Sequence, residues 1–346
     1  MSDTPGLDLD VLTTYLKQHA PALAESPITA ELIVGGKSNL TYMMQTSAGR
    51  MVLRRPPMGH VLATAHDMSR EYKVLTAFEG TKVPVPHCEL ICEDDSVLGA
   101  PFYIMRAVEG DAIKQAAELE KRGPERTRTI VNRLIDTMAD IHTTDPASIG
   151  LDQFGKAEGF VLRQIKRWTK QLESSKSREL PGLEKHIENL LEACPSDTGH
   201  GIVHGDYRLD NVLVDQNDQI TAVLDWEMAA LGAPTCDLAM MIAYGDRTKA
   251  MTGDAANSVT NVSLANGYPS SDEIVARYEE RTGEKTRHFD FYLAFSFFKQ
   301  VGILEGIYYR YQAGQTVGPG YDSIGDMVPV LLEKSKEALA RSKESD

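Results

Sequence analysis

Residues 202–215, IVHGDYRLDNVLVD, decide how the rest of the chain is read. Two apolar runs, each suited to a buried strand, enclose Asp206, Asp210 and Asn211. A carboxylate or amide is costly to bury unless a donor or a cation pairs with it. The stretch therefore implies a partner, and the composition and the flanking segments show what kind.

With 346 residues, 42% of them hydrophobic, the chain is long enough for two lobes and a large core. A formal net charge of -14 argues against a nucleic-acid or anionic-membrane surface, either of which needs a basic patch. Four cysteines are too few for a disulfide framework, and their positions do not make a four-ligand zinc spacing. Cys88 and Cys92, in CELIC, have the even spacing that puts two strand residues on one face, which suits buried structural thiols. The N-terminal MSDTPGLDLD lacks a basic stretch followed by an apolar core, and no apolar run approaches the length of a bilayer span. The expectation is a soluble, cytoplasmic protein with no nucleic-acid or membrane partner.

Outward from the central stretch, LDVLTTYLKQH (9–19) has the spacing of a short amphipathic helix. Residues 28–57 contain three β-rich runs broken by GGKSN and SAGR, the punctuation of an antiparallel meander. AHDMSREYKVLTAFEG (65–80) spaces Met68, Tyr72, Leu75 and Phe78 as a helix, with Gly80 as its stop. PVPHCELICED and PFYIMRAVEG add two strands. After Gly110 the pattern turns helical, in residues 126–142, 161–174, 183–194, 291–314 and 327–346. Residues 246–271 are poor in large apolar side chains and are expected to form a mobile loop. These elements predict an α+β, bilobal architecture, with a β-rich lobe over residues 1–105 and a larger helical lobe over 106–346.

In HGDYRLDN, His204, Asp206 and Asn211 fit H-x-D-x-x-x-x-N, and VLDWE places Asp225 at the end of an apolar strand fourteen residues later. That order resembles the protein-kinase catalytic loop and its metal-binding aspartate. By itself the pattern also fits a β-hairpin whose turns Asp206 and Asn211 cap. On the kinase reading the partner is Mg²⁺ with a nucleotide phosphate: Asn211 and Asp225 offer the hard oxygens that Mg²⁺ accepts. Asp206 is then the carboxylate that orients a hydroxyl and accepts its proton, while His204 holds the loop.

The first lobe supplies matching parts. In MVLRRPP, Val52 and Arg54 share a strand face, Val52 for the adenine and Arg54 for the phosphates, and Arg55 points away. A kinase usually has Lys at the Arg54 position, and a planar guanidinium binds phosphate differently. Glu71, on the following helix, is the candidate to pair with Arg54, the alternative being a solvated helix charge. In GGKSN, the backbone of Lys37, Ser38 and Asn39 could hold a terminal phosphate, although the segment also suits a plain hairpin turn and is no Walker loop.

HGDYRLDNVLV, VLDWE and GAPTCDLA together resemble the aminoglycoside phosphotransferase and choline kinase-like family, the small-molecule branch of the protein-kinase-like fold. GGKSNLTY, VLRRPP, AHDMSREYKVL and FYIMRAVEG are similar, more narrowly, to the phosphotransferase domain fused to some acyl-CoA dehydrogenases and to its free-standing bacterial relatives. The resemblance implies transfer from ATP or GTP with Mg²⁺ to a small-molecule hydroxyl, with Asp206 as base, Asn211 and Asp225 as metal ligands and Ala107–Val108 as hinge backbone for the purine. It implies a structural role for Asp237.

The acceptor is open. Asp246, Asp254, Asp272 and Glu273 are mixed with Arg247, Lys249, Arg277 and Arg281, which does not make the acidic wall a polycationic aminoglycoside requires. A metabolite hydroxyl, such as that of a hydroxyacyl-CoA, is the preferred expectation, with an aminoglycoside or amino alcohol as alternative. Phe298, Tyr308, Tyr309 and Arg310 are candidates for an acceptor pocket or, for most of the aromatics, core packing. A protein kinase is disfavoured by Gly205 before Asp206, by LDW in place of D-F-G and by the lack of an A-P-E segment. A nucleotide-binding module without turnover is the reading of another class, and Arg54 is its support. The oligomeric state is left open.

Overall fold

Asp8 begins the first helix by accepting the N–H groups of Asp10 and Val11, so that α1 (Leu9–His19) starts with two of its orphan donors satisfied. The computed structural model describes residues 4–33, 39–58, 67–196, 199–251, 260–315, 321 and 323–344. Two compact units emerge, Met1–Gly110 with Thr221–Ala229, and Asp111–Ile220 with Ala230–Asp346.

The first unit is built on an antiparallel sheet of β1 (Thr29–Leu32), β2 (Leu40–Thr46), β3 (Gly49–Arg55), β4 (Cys88–Cys92) and β5 (Phe102–Arg106), in the order β1-β2-β3-β5-β4. Between β3 and β4 lies α2 (Met68–Phe78), N-capped by Asp67. One face of the sheet joins α1 in a core where Leu12 and Leu16 meet Tyr42, Met44, Leu53, Phe102 and Ile104. The pleat sends alternate residues to the other face. The pairs Val52↔Met105 and Arg54↔Tyr103 lie there, on the side opposite Leu53↔Ile104.

Cys88 and Cys92 do not share a face. A bulge between Cys88 and Leu90 shifts the register, so that Cys88 pairs with Met105 while Cys92 pairs with Phe102. One extra residue inverts the parity that even spacing implies. Both thiols are nonetheless buried and free.

The second unit contains α4 (Ala116–Glu120), α5 (Pro124–Thr143), α6 (Phe160–Ser175), α7 (Leu183–Glu192), α8 (Thr235–Ala250), α9 (Ser271–Thr282), α10 (Phe289–Gln312) and α11 (Met327–Ser342), here numbered after a four-residue α3 (Asp95–Leu98) in the first unit. α10 is buried around its whole circumference over Phe291–Val301 and packs against α6, α8 and α11, whereas α5 presents one stripe and packs against α9. Strands β6 (Gly201–Val203), β7 (Val212–Val214), β8 (Ile220–Val223) and β9 (Ala230–Gly232) punctuate the chain between α7 and α8, and β6 pairs antiparallel with β9. At Gly232 a Cβ would lie 2.5 Å from the Phe160 ring, so only glycine lets α6 approach this ribbon.

Residues 246–271 are not a single loop. Asp246–Ala250 are the last turns of α8, with Arg247 and Thr248 buried, and Val262–Leu264 form a 3₁₀ turn. The polar composition misleads because Arg247 is buried despite its charge. Residues 252–259 lie outside the described chain.

His186 tests the packing of α7 on α11. It is 3% exposed, its Nε2 lies 2.7 Å from Ser335 Oγ, and that hydroxyl donates to Ala294 O. Burial, aided by Lys336, lowers the imidazole pKa to about 4. A depressed folded-state pKa stabilises the protein above the ordinary value of 6.5, and this contribution is lost as pH falls toward 4. The urea midpoint of the wild type is therefore expected to exceed that of His186→Gln at pH 7.5, with the difference shrinking steadily between pH 6.5 and 4.

Candidate active site

In the first unit, the strand parity that places Arg54 opposite Arg55 has a visible result. Arg55 reaches Leu98 O at 2.9 Å on the α1 side. Arg54 lies on the other side with Nη1 3.3 Å from Glu71 Oε1 and Nη2 3.0 Å from Asp225 Oδ1. Its side chain is 11% exposed and that of Glu71 1%. Burial works against the guanidinium charge, but Glu71 and Asp225 outweigh it and hold the Arg54 pKa above its usual range.

Glu71 also accepts the Trp226 N–H at 3.3 Å, and Trp226 stacks on Phe78 of α2 with centroids 5.0 Å apart. Arg70 Nη2 donates to Ala229 O, and Val223 N–H to Pro84 O. These bonds explain why residues 221–229 belong to the first unit. Asp225 itself has a left-handed backbone, φ 65°, which turns the chain sharply between β8 and the 3₁₀ turn Trp226–Met228.

In the second unit, the loop after β6 is organised by Asp237 near the start of α8. Its buried carboxylate accepts His204 N–H at 2.6 Å and Gly205 N–H at 2.8 Å, and lies 3.2 Å from His142 Nε2. Burial opposes the charge, yet the His142 and Gly205 hydrogen bonds hold the Asp237 pKa below the ordinary carboxylate value. Lys299, from the middle of α10, donates to Gly205 O at 2.9 Å.

The loop thus held presents Asp206, whose side chain is 27% exposed. Its Oδ1 accepts from the Tyr244 hydroxyl at 3.1 Å and lies 3.2 Å from Arg208 Nε. Asn211 Nδ2 donates to both Asp206 O and Asp206 Oδ2, at 2.8 and 3.1 Å. Asp210 Oδ2 is 3.1 Å from Arg208 Nη2, while burial pushes the Asp210 pKa up. Much of the partnering that the sequence demands therefore comes from within the protein.

The other predicted residues fall as follows. Val52 is buried on the Arg54 side of the sheet, between Met43 and Met105. Asn39 donates to Glu227 Oε2 at 3.1 Å, while Lys37 and Ser38 lie outside the described residues. The Ala107 N–H is engaged by Arg50 O, so it is not open to a purine. Phe298 is fully buried beside His186, and Tyr308 carries the Arg178 guanidinium 4.6 Å from its ring centre. These two rings are packing residues.

Tyr244, Arg208 and Lys299 are absent from the sequence reading. Tyr244 lies seven residues after Asp237, two turns along the same helix face, and Lys299 is a lone cation in the apolar run FSFFKQVGIL. Both signals were present, but neither has meaning until the Gly205–Asp206 backbone is placed against them.

Among the described residues no cluster of three or more His, Cys, Asp or Glu side chains could hold a metal alone. In the second unit, Asn211 spends its amide nitrogen on Asp206, and in the first, Asp225 has Oδ1 on Arg54, so each keeps an oxygen of the hard kind that a divalent ion accepts.

Asp237→Ala removes the acceptor for two loop N–H groups and strands them in a dry site. A loss of about 3 kcal/mol in unfolding free energy by urea titration is expected, on the usual cost of unsatisfied buried donors.

Residues 29–271 match the model of the phosphotransferase enzyme family. The chain is 33% identical over 344 residues to rat acyl-CoA dehydrogenase family member 11, covering 97% of this chain and 44% of the relative. It thus spans less than half the length of the curated relatives it matches. The crystal structure of a Ralstonia eutropha JMP134 protein, provisionally called an aminoglycoside phosphotransferase, superposes with a TM-score of 0.81 at 31% identity, over 96% of this chain and 98% of that one. The streptomycin–ATP ternary complex of APH(2'')-IIa shares the fold alone, with a TM-score of 0.58 at 15% identity over 96% of each chain. The architecture is the protein-kinase-like α+β fold, and among the described residues no helix is long and apolar enough to cross a membrane. The chain belongs to the phosphotransferase enzyme family and is a kinase of small molecules that acts on a hydroxyl acceptor.

Proposed function

We propose that this kinase transfers the γ-phosphoryl group of ATP, or of GTP, with Mg²⁺, to the hydroxyl of a metabolite of the hydroxyacyl-CoA type, with Asp206 as the general base. One observation carries the reading: Asp206 is partly exposed, yet its carboxylate is held by Tyr244, Arg208 and Asn211. A carboxylate fixed at one oxygen by an O–H and a guanidinium is oriented rather than free to rotate. Phosphoryl transfer asks the protein mainly for positioning and charge stabilisation, and a positioned carboxylate that accepts the hydroxyl proton meets that need.

Within this reading, Asn211 and Asp225 are the ligands for Mg²⁺, which when bound supplies neutralisation of phosphate charge. Arg54, with Glu71 behind it, meets the phosphates, and Val52 and the Ala107–Val108 backbone meet the base; Lys37, Ser38 and Asn39 belong to the phosphate loop. Arg54 shares Asp225, so nucleotide and metal must be accommodated together. ATP is supported by its presence in the streptomycin complex of a protein of this fold. An acyl-CoA acceptor is supported by the relative named for acyl-CoA dehydrogenation, although the chain matches only 44% of it.

The test is ADP or GDP release with Mg²⁺ over a panel of hydroxyacyl-CoA compounds, amino alcohols and aminoglycosides. Asp206→Asn is expected to lower kcat at least 100-fold with nucleotide affinity unchanged. Asp225→Ala is expected to lose the Mg²⁺-dependent part of nucleotide binding by calorimetry. Equal turnover by Asp206→Asn would overturn the base assignment; turnover of aminoglycosides alone would overturn the acceptor class.

A further inference from the structure

Lys299 stands in the middle of α10, in sequence among Phe295, Phe297, Phe298 and Val301, all buried, and is itself 9% exposed. A buried ammonium is costly, and a methionine fills a similar volume without that cost. Burial pulls the Lys299 pKa below the usual lysine value, against the opposing influence of Asp206 and Asp237. Packing therefore does not account for a lysine at this place. Its use lies in what the ammonium touches, the carbonyl oxygen of Gly205 at 2.9 Å.

Gly205 sets the direction in which the chain enters Asp206. Its φ is 86°, in the left-handed region where a side chain is strained, and a glycine is also the residue most free to leave such a conformation. Two buried charges of opposite sign hold it there. Its N–H donates to Asp237 Oδ1 at 2.8 Å, and its carbonyl accepts from Lys299. The adjoining peptides are engaged as well: His204 N–H donates to Asp237 Oδ2 at 2.6 Å, and Asp206 N–H to His204 Nδ1 at 3.3 Å. The peptide that joins Gly205 to Asp206 is thus held at both ends, by Lys299 at its oxygen and by His204 at its nitrogen. A neutral donor would satisfy the carbonyl, but a charge-assisted bond is about twice as strong.

We propose that Lys299 is a positioning residue for phosphoryl transfer: with Asp237 it clamps the Gly205 backbone in its left-handed form, and the clamp holds the main chain of Asp206 where the carboxylate meets the acceptor hydroxyl. This rests on Asp206 as the base. Tyr244, Arg208 and Asn211 orient the carboxylate itself, whereas Lys299 fixes the backbone from which that carboxylate projects. The two kinds of restraint are distinct, and both are needed, because a displacement of about 1 Å in a catalytic group costs about 100-fold in rate.

Amide hydrogen exchange, followed by mass spectrometry, and turnover are measured on the full chain as wild type, Lys299→Met and Lys299→Arg. In Lys299→Met the segment 203–207 is expected to exchange about tenfold faster with the protection of α10 unchanged, and Lys299→Arg is expected to regain most of the lost protection. Turnover is followed as ADP release from ATP with Mg²⁺, using the acceptor that the panel identifies, or water where none does. There kcat is expected to fall about tenfold or more in Lys299→Met with KM for ATP within about twofold, and to recover in Lys299→Arg. Four results would each overturn the proposal: unchanged exchange of 203–207 in Lys299→Met, equal loosening of α10, which makes Lys299 a packing residue, no rescue by Lys299→Arg, or an unchanged kcat. Should Lys299→Met fail to fold, Lys299→Gln, a neutral donor, takes its place under the same criteria. Equal turnover by Asp206→Asn would instead remove the base, and the exchange measurement would still decide whether Lys299 holds the loop, so the two failures are distinguishable.

Discussion

The first unit depends on one buried cation, Arg54, held between Glu71 and Asp225. Removing a partner from such a group exposes an uncompensated charge in a dry interior, at a cost of about 3–5 kcal/mol. The arrangement therefore ties three distant parts of the chain together: a central strand, the helix that follows it, and a segment some 150 residues further on. Trp226, packed on Phe78 and hydrogen-bonded through its backbone to Glu71, closes the same knot with apolar contact. The knot holds residues 221–229 in the first unit together with the Arg70–Ala229 and Val223–Pro84 bonds.

Asp237 does for the loop after β6 what Glu71 does for Arg54. Each is a buried carboxylate that meets groups from different elements, although Glu71 keeps one oxygen, Oε2, without a hydrogen-bond partner.

Much of this was legible in the residues. The strand–turn–strand form of residues 202–215, the parity of Arg54 and Arg55, and the helix carrying Glu71 follow from local pattern, because strand and helix periods fix which side chains share a face. What was not legible depends on tertiary context. The bulge at Cys88–Leu90 leaves no mark in a five-residue strand, so the two cysteines separate without warning. The polar stretch after Tyr244 reads as loop, although Arg247 and Thr248 are interior residues of a helix. Glu71 occupies the buried stripe of α2 with Met68, Leu75 and Phe78, the place assigned by hydrophobicity to Tyr72. A charge outranks an aromatic there because Arg54 waits beneath it.

The placement of the two indoles adds an optical property to the molecule. The chain has two tryptophans, Trp168 and Trp226, and each unit contains one. Trp226 is fully buried on Phe78 beside Asp225, in surroundings whose indole emission is blue-shifted. Trp168 lies under the Lys299 ammonium, 5.5 Å from its centre, where a charge over the ring makes emission sensitive to any movement of that lysine from Gly205. Each unit therefore carries one indole, and their signals are separable by single replacement with phenylalanine.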